Sequence, residues 1–250
     1  MLLENKRLAV VFDLDETLLQ ALTEKTLKER ISAAGDRIDQ LSRQRADAEA
    51  FGDAAAAADA AAALVVAGEE RAVLEADLAQ LQYFIAMDTL PTLGPGEEVA
   101  STRELGFGSG PESGLRPVLR VRDAATQRLV KVFTRVRPDV HGTSIVIRIR
   151  DGWEEMRASL LPDALAARPN SLSPKQRYDV YICTTAERQY ALEAWRLLDP
   201  GHLIIPAEQL ARRLMCVRAA KNSPVKSLQN VVLQSQDQPL VPVGGALRDA

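Results

Sequence analysis

At 250 residues the chain has room for one sizeable α/β domain plus an insertion. Apolar residues make up 46% and charged residues 26%, the balance of a globular protein. A net charge of −3 with 4% aromatics offers neither the basic face nor the base-stacking surface of a nucleic-acid binder.

The N-terminal segment lacks a signal-peptide layout, because its apolar stretch is short and runs into acids. Leu8 to Phe12 (LAVVF) is a continuous, β-branched apolar run and predicts a buried parallel strand. Asp13, Asp15 and Glu16 follow at once, at the strand end where open α/β sheets place their chemistry. From about residue 22 the period becomes helical. Leu27, Ile31, Ala34, Ile38 and Leu41 alternate spacings of four and three, and Leu64, Ala67, Leu74, Leu78, Leu81 and Ile85 form a second seam. Phe51, Gly52 and Asp53 fall between them, so an antiparallel helical hairpin is expected. Its Ala-rich stretch from Ala54 to Val66, interrupted by Asp59, is too short to span a bilayer.

Residues 91–117 are crowded with glycine and proline and predict a flexible linker. Val118 to Arg122 and Leu129 to Phe133 read as a strand hairpin. A strand from Ser144 to Arg150, a helix from Trp153 to Leu161, a buried strand from Tyr178 to Cys183 and a helix from Ala186 to Leu198 follow. Short strands at Leu203 to Ile205 and Leu214 to Val217 complete the pattern. Strands alternating with helices predict a doubly wound parallel sheet. The expected organisation is therefore residues 1–21 as first strand and catalytic loop, 22–90 as helical insertion, 91–117 as linker, and 118–250 as the rest of the domain. Cys183 and Cys216, two in all, suit a core in a reducing compartment rather than a disulfide framework or zinc site.

The strongest chemical signal is DLDET, Asp13 to Thr17. Carboxylates at i and i+2 on a loop suit two roles: one attacks phosphorus and binds a metal, the other carries a proton to and from the leaving oxygen. A magnesium ion would cancel the repulsion between carboxylate and phosphate. The competing reading is an acidic turn that caps a helix.

VFDLDETLL is similar to the first motif of the RNA polymerase II C-terminal-domain phosphatases, of the haloacid dehalogenase superfamily. DGWEEMRASL (151–160), YDVYICTTAERQYALEAWRLLDP (178–200) and LMCVRAAKNSPVKSL (214–228) resemble the plant branch, as does LQYFIAMDTL (81–90) in the insertion. The resemblance implies a haloacid-dehalogenase-like fold, a magnesium cofactor, nuclear location and a phosphorylated protein or peptide as substrate. It implies that Asp13 is the nucleophile and a metal ligand. Asp15 would be general acid and then base, and a metal ligand through its carbonyl. Thr184 would hydrogen-bond the phosphoryl group, and Lys226 would stabilise its charge. For Thr184 the alternative is a helix cap, with Thr185 as a rival; for Lys226 it is a solvated surface lysine.

The family pattern also has a strand followed by two adjacent aspartates. If PLVPV is that strand, Gly244 and Gly245 stand where the acids should be, and Asp237 and Asp249 are single acids in another context. Weak metal binding and slow turnover are expected on that reading, through truncation or a degenerate site. A phosphopeptide-binding or coiled-coil scaffold is then the competing function, and a small-molecule phosphatase with the hairpin as lid is a third. His141 and His202 read as loop residues, Trp153 and Trp195 as core anchors. Arg135, Arg137, Arg148 and Arg150 suit either a phosphopeptide or a solvated strand face.

Overall fold

The structure is a computed structural model that describes residues 8–91, 93–105, 114–137, 139–161 and 178–217. Lys226, Asp237, Gly244, Gly245 and Asp249 lie outside the described residues. The chain divides into two compact units: residues 21–147 fall mainly in one, residues 1–20 with 148–250 in the other.

Among its described residues, the unit that carries the acidic motif holds a three-stranded parallel sheet in the order β1-β7-β8. Here β1 is Leu8–Phe12, β7 is Tyr178–Thr184 and β8 is Leu214–Cys216. Among the described residues three helices belong to this unit: α3 (Trp153–Leu160), α4 (Arg188–Leu198) and α5 (Ala207–Arg213). The α4 stripe Ala191, Leu192, Ala194, Trp195 and Leu198 is buried, and Trp195 meets Trp153 edge to face at 6.0 Å between ring centroids. Both tryptophans are core anchors, as expected.

Two expectations fail here. β1 is not buried on both faces: Leu8 is 64% exposed, and Val10, Val11 and Phe12 are half-buried. In the described sheet it is an end strand with β7 on one side. Leu203 to Ile205 is not a strand. The buried Asp199 carboxylate accepts the N–H groups of Leu203 (3.0 Å), Ile204 (2.9 Å) and Ile205 (3.2 Å). Those donors close a turn instead of entering a ladder, while Ile204 and Ile205 still reach the core.

The other unit contains the helical hairpin, α1 (Glu24–Ala50) and α2 (Ala54–Met87). Thr23 caps α1 by accepting the Thr26 N–H at 3.1 Å, and Asp53 caps α2 by accepting that of Ala56 at 3.0 Å. Gly52 takes the left-handed φ of 73° that the intervening turn requires. The buried side of α2 runs Ala60, Ala67, Leu74, Asp77, Leu81 and Phe84, close to the expected seam but shifted onto Phe84 and Asp77.

A five-stranded sheet, ordered β2-β6-β5-β4-β3, packs with the hairpin in this unit. Its strands are β2 (Leu19–Thr23), β3 (Glu97–Leu105), β4 (Leu115–Asp123), β5 (Leu129–Arg135) and β6 (Ser144–Ile149). β4 and β5 are the predicted hairpin, antiparallel in register. β3 falls inside the predicted linker and pairs antiparallel with β4 from Glu97↔Asp123 to Leu105↔Leu115. Residues 118–147, expected in the phosphatase remainder, thus group with the hairpin instead. Leu27, Leu74, Leu81, Phe84, Leu119, Val121, Phe133 and Val146 make one apolar core.

Two buried basic side chains of this unit, Lys131 and Arg135, have acidic partners. Lys131 Nζ donates to Gln80 Oε1 at 2.9 Å and stands 3.5 Å from Glu97 and 3.6 Å from Asp77, which is 1% exposed. Arg135 is buried too, bonded to Asp88 and lying over the Phe84 ring at 5.5 Å, so it offers no free charge to a phosphopeptide.

Candidate active site

β1 and β7 run side by side in parallel, from Leu8↔Tyr178 to Phe12↔Ile182. Their C-terminal ends therefore deliver Asp13 and Thr184 to the same edge of the sheet. Asp13 Oδ1 accepts the N–H of Leu14 at 2.8 Å, which ties the carboxylate to the start of the loop. Leu14 is fully buried and anchors that loop from below.

The loop then turns tightly. Leu18 and Leu19 donate to the Leu14 carbonyl at 3.0 and 3.3 Å, and Glu16 donates to the Leu19 carbonyl at 2.8 Å. Glu16 adopts a left-handed φ of 60°, unusual for a residue with a Cβ. External bonds hold it there: Arg150 Nη2 donates to the Glu16 carbonyl at 2.9 Å, and Gln20 Nε2 donates to its carboxylate at 3.0 and 3.2 Å. Arg150, expected on a solvated or substrate-facing strand, thus braces the acidic loop.

Both carboxylate oxygens of Asp15 are engaged by hydroxyl groups. Tyr190 Oη donates to Oδ1 at 2.5 Å, and Thr184 Oγ1 donates to Oδ2 at 3.3 Å. The Thr184 hydroxyl also accepts the Ala186 N–H at 3.1 Å, so its donor and an acceptor site are both in use. Thr184 is 1% exposed. It does not cap α4: the capping residue is Glu187, without a side-chain bond, and Thr185 is exposed.

Tyr190 lies in the first turn of α4. Burial, reinforced by the Asp15 carboxylate, pushes its phenol well above the ordinary tyrosine range, so it stays a hydrogen-bond donor at physiological pH. The helix start is itself fixed, because Arg188 donates to the Leu214 carbonyl at 3.1 Å and to that of Ala211. Sequence reasoning missed Tyr190. The available signal was its position four residues before Ala194 on the buried stripe of α4, six after Thr184. A phenol at the end of such a stripe needs a polar partner.

The loop gives magnesium a limited but suitable donor set. The Asp15 carbonyl takes no part in the turn's internal bonds, and the Asp13 carboxylate precedes it by two residues. Among the described residues no cluster of three or more His, Cys, Asp or Glu could hold a metal. Two protein oxygens suit a cation that keeps several waters and takes substrate phosphate oxygens.

No protein-family model matches the chain. No solved structure matches it either. Among curated proteins it is similar to RNA polymerase II C-terminal domain phosphatase-like 1 of Arabidopsis thaliana, at 30% identity over 240 residues, 96% of this chain. The resemblance expected from the motifs is borne out. The chain spans 21% of the Arabidopsis protein's length. The stretch compared with that phosphatase-like protein takes in the acidic loop, Thr184 and Tyr190 alike. No helix among the described residues is long and apolar enough to cross a membrane.

Proposed function

We propose that this chain is a magnesium-dependent protein serine/threonine phosphatase that works through an aspartyl phosphate on Asp13. Its substrate on this reading is the phosphorylated C-terminal domain of RNA polymerase II, taken from the name of the Arabidopsis relative, and its location is nuclear, as the resemblance to the phosphatase family implies. The parallel β1-β7-β8 sheet with its helices is read as part of a haloacid-dehalogenase-like, doubly wound fold. The observation that carries the proposal is the DLDET loop at the end of β1, with Asp15 bonded to Thr184 at the end of the neighbouring β7.

In the first half-reaction an Asp13 carboxylate oxygen attacks phosphorus. The bond from phosphorus to the serine or threonine oxygen breaks, and Asp15 gives that oxygen a proton. In the second, Asp15 takes a proton from water, the water oxygen attacks phosphorus, and the Asp13–phosphorus bond breaks to release inorganic phosphate. Magnesium, when bound by the Asp13 carboxylate and the Asp15 carbonyl, supplies charge neutralisation and polarises the phosphoryl group. Thr184 turns its hydroxyl from Asp15 to a phosphoryl oxygen, and Lys226 completes the charge balance. Catalysis then comes mainly from positioning.

The test is phosphate release from an aryl phosphate with magnesium, comparing the chain with Asp13→Asn. Turnover is expected to fall on the order of a thousandfold in the variant, with unchanged melting temperature. Activity near that of the parent would show that another group attacks. No release from either protein, with a phosphoserine peptide still bound, would replace the enzyme by a phosphopeptide-binding scaffold.

A further inference from the structure

We propose that Tyr190 is the positioning residue of the proton-transfer step: its hydroxyl pins Asp15 Oδ1, so that Asp15 carries its proton on Oδ2. This rests on the reading of Asp15 as general acid and base. A carboxyl group delivers a proton well only if one oxygen faces the leaving group, and a side chain with two free torsions does not hold such a pose unaided. Here each oxygen has its own hydroxyl donor, Tyr190 on Oδ1 at 2.5 Å and Thr184 on Oδ2 at 3.3 Å.

The two contacts are not equivalent. Thr184 holds the longer one, and substrate draws its hydroxyl away when it turns to the phosphoryl group. Tyr190 has no such competing duty. Its ring is held in the first turn of α4, which Arg188 ties to the Leu214 carbonyl and so to β8. Once Thr184 lets go, Oδ2 is the oxygen vacated and Oδ1 is still bonded to the phenol. A proton on Oδ1 would have to displace the Tyr190 donor, whereas a proton on Oδ2 leaves that bond intact. Tyr190 thereby selects which oxygen hands the proton to the leaving group, and which oxygen later receives the proton of water.

Tyr190→Phe keeps the ring and removes only the hydroxyl. The experiment uses the full chain with magnesium and two substrates, a phosphoserine peptide and 2,4-dinitrophenyl phosphate. The peptide's alkoxide needs a proton to leave; dinitrophenolate does not. For the variant, kcat/KM on the peptide is expected to fall about 10- to 100-fold, and on dinitrophenyl phosphate to stay within about threefold. On the second substrate kcat should still fall about tenfold, because hydrolysis of the aspartyl phosphate needs Asp15 as base. A melting temperature within a few degrees of the parent's checks that the fold is kept. Equal losses of kcat/KM on both substrates would assign Tyr190 a merely structural role, and no loss on the peptide would remove it from proton transfer; either result overturns the inference. If the parent chain shows no Asp13-dependent turnover at all, the phosphatase reading itself fails and takes this inference with it.

Discussion

In the unit built on the helical hairpin, successive stretches of chain pack on one another: α1 on α2, β3 on β4, β4 on β5. In the unit that carries Asp13, the bonds that shape the site join residues 169 and 175 positions apart. The first unit has a broad apolar core with a paired charge cluster beside it; the second holds its loops with polar side chains, the buried Asp199 at the end of α4 and the half-buried Tyr190 at the site. Local contacts form readily, whereas long-range polar contacts make the site conditional on distant segments.

Substitutions at four places sharpen that contrast: the Asp77–Lys131 pair, Asp199, Glu16 and Glu104. The largest effect is expected for Asp77→Ala, which leaves the buried Lys131 ammonium with Glu97 and Gln80 and costs about 3 kcal/mol. Amide exchange should accelerate in α2 and β5 while β7 keeps its protection, and adding Lys131→Met should recover much of the loss. If β7 is deprotected equally, the two units do not open separately. Asp199→Ala comes next. It strands three N–H groups, two of them on buried isoleucines, and should cost about 2 kcal/mol, read as faster exchange around Ile204 and Ile205.

A smaller, near-neutral effect is expected for Glu16→Gly. Relief of the left-handed φ should offset the lost Gln20 bonds, giving a change within about 1 kcal/mol, whereas Glu16→Val should destabilise more in the same denaturation series. The smallest concerns Glu104. Burial pushes its carboxyl up, but hydrogen bonds from Arg120 and Thr102 outweigh that and hold it below its ordinary value. Its contribution is therefore fully present above the ordinary glutamate value and is lost as pH falls through the folded one. The melting temperatures of the parent and of Glu104→Gln should converge in that acid range and separate above it.

The same contrast explains what was legible in the sequence. The helical hairpin, β4 and β5, β7 and α4 announce themselves through apolar period, and DLDET through its position after an apolar run. β3 does not. Its residues EEVASTREL are exposed or half-buried where the structure describes them, so no apolar face repeats, and the glycines and prolines around it read as linker. Charges on such an end strand discourage pairing with another chain, at the expense of the pattern that would reveal the strand. Leu203 to Ile205 misleads for the opposite reason: the residues are apolar and buried, but a carboxylate claims their donors. Tyr190 carried no motif of its own, and its bond to Asp15 emerges only once α4 is laid against the end of β7.

The parallel pairing of β1 with β7 has a consequence for the protein as it is made. Asp15 leaves the ribosome well before its bonding partners Thr184 and Tyr190, which follow only after the whole hairpin unit has been synthesised. At about 5–20 residues per second that interval is on the order of 10–30 s. Throughout it the nascent chain carries its acidic loop without the hydroxyl groups that hold Asp15, and the loop gains both of them only with the emergence of α4.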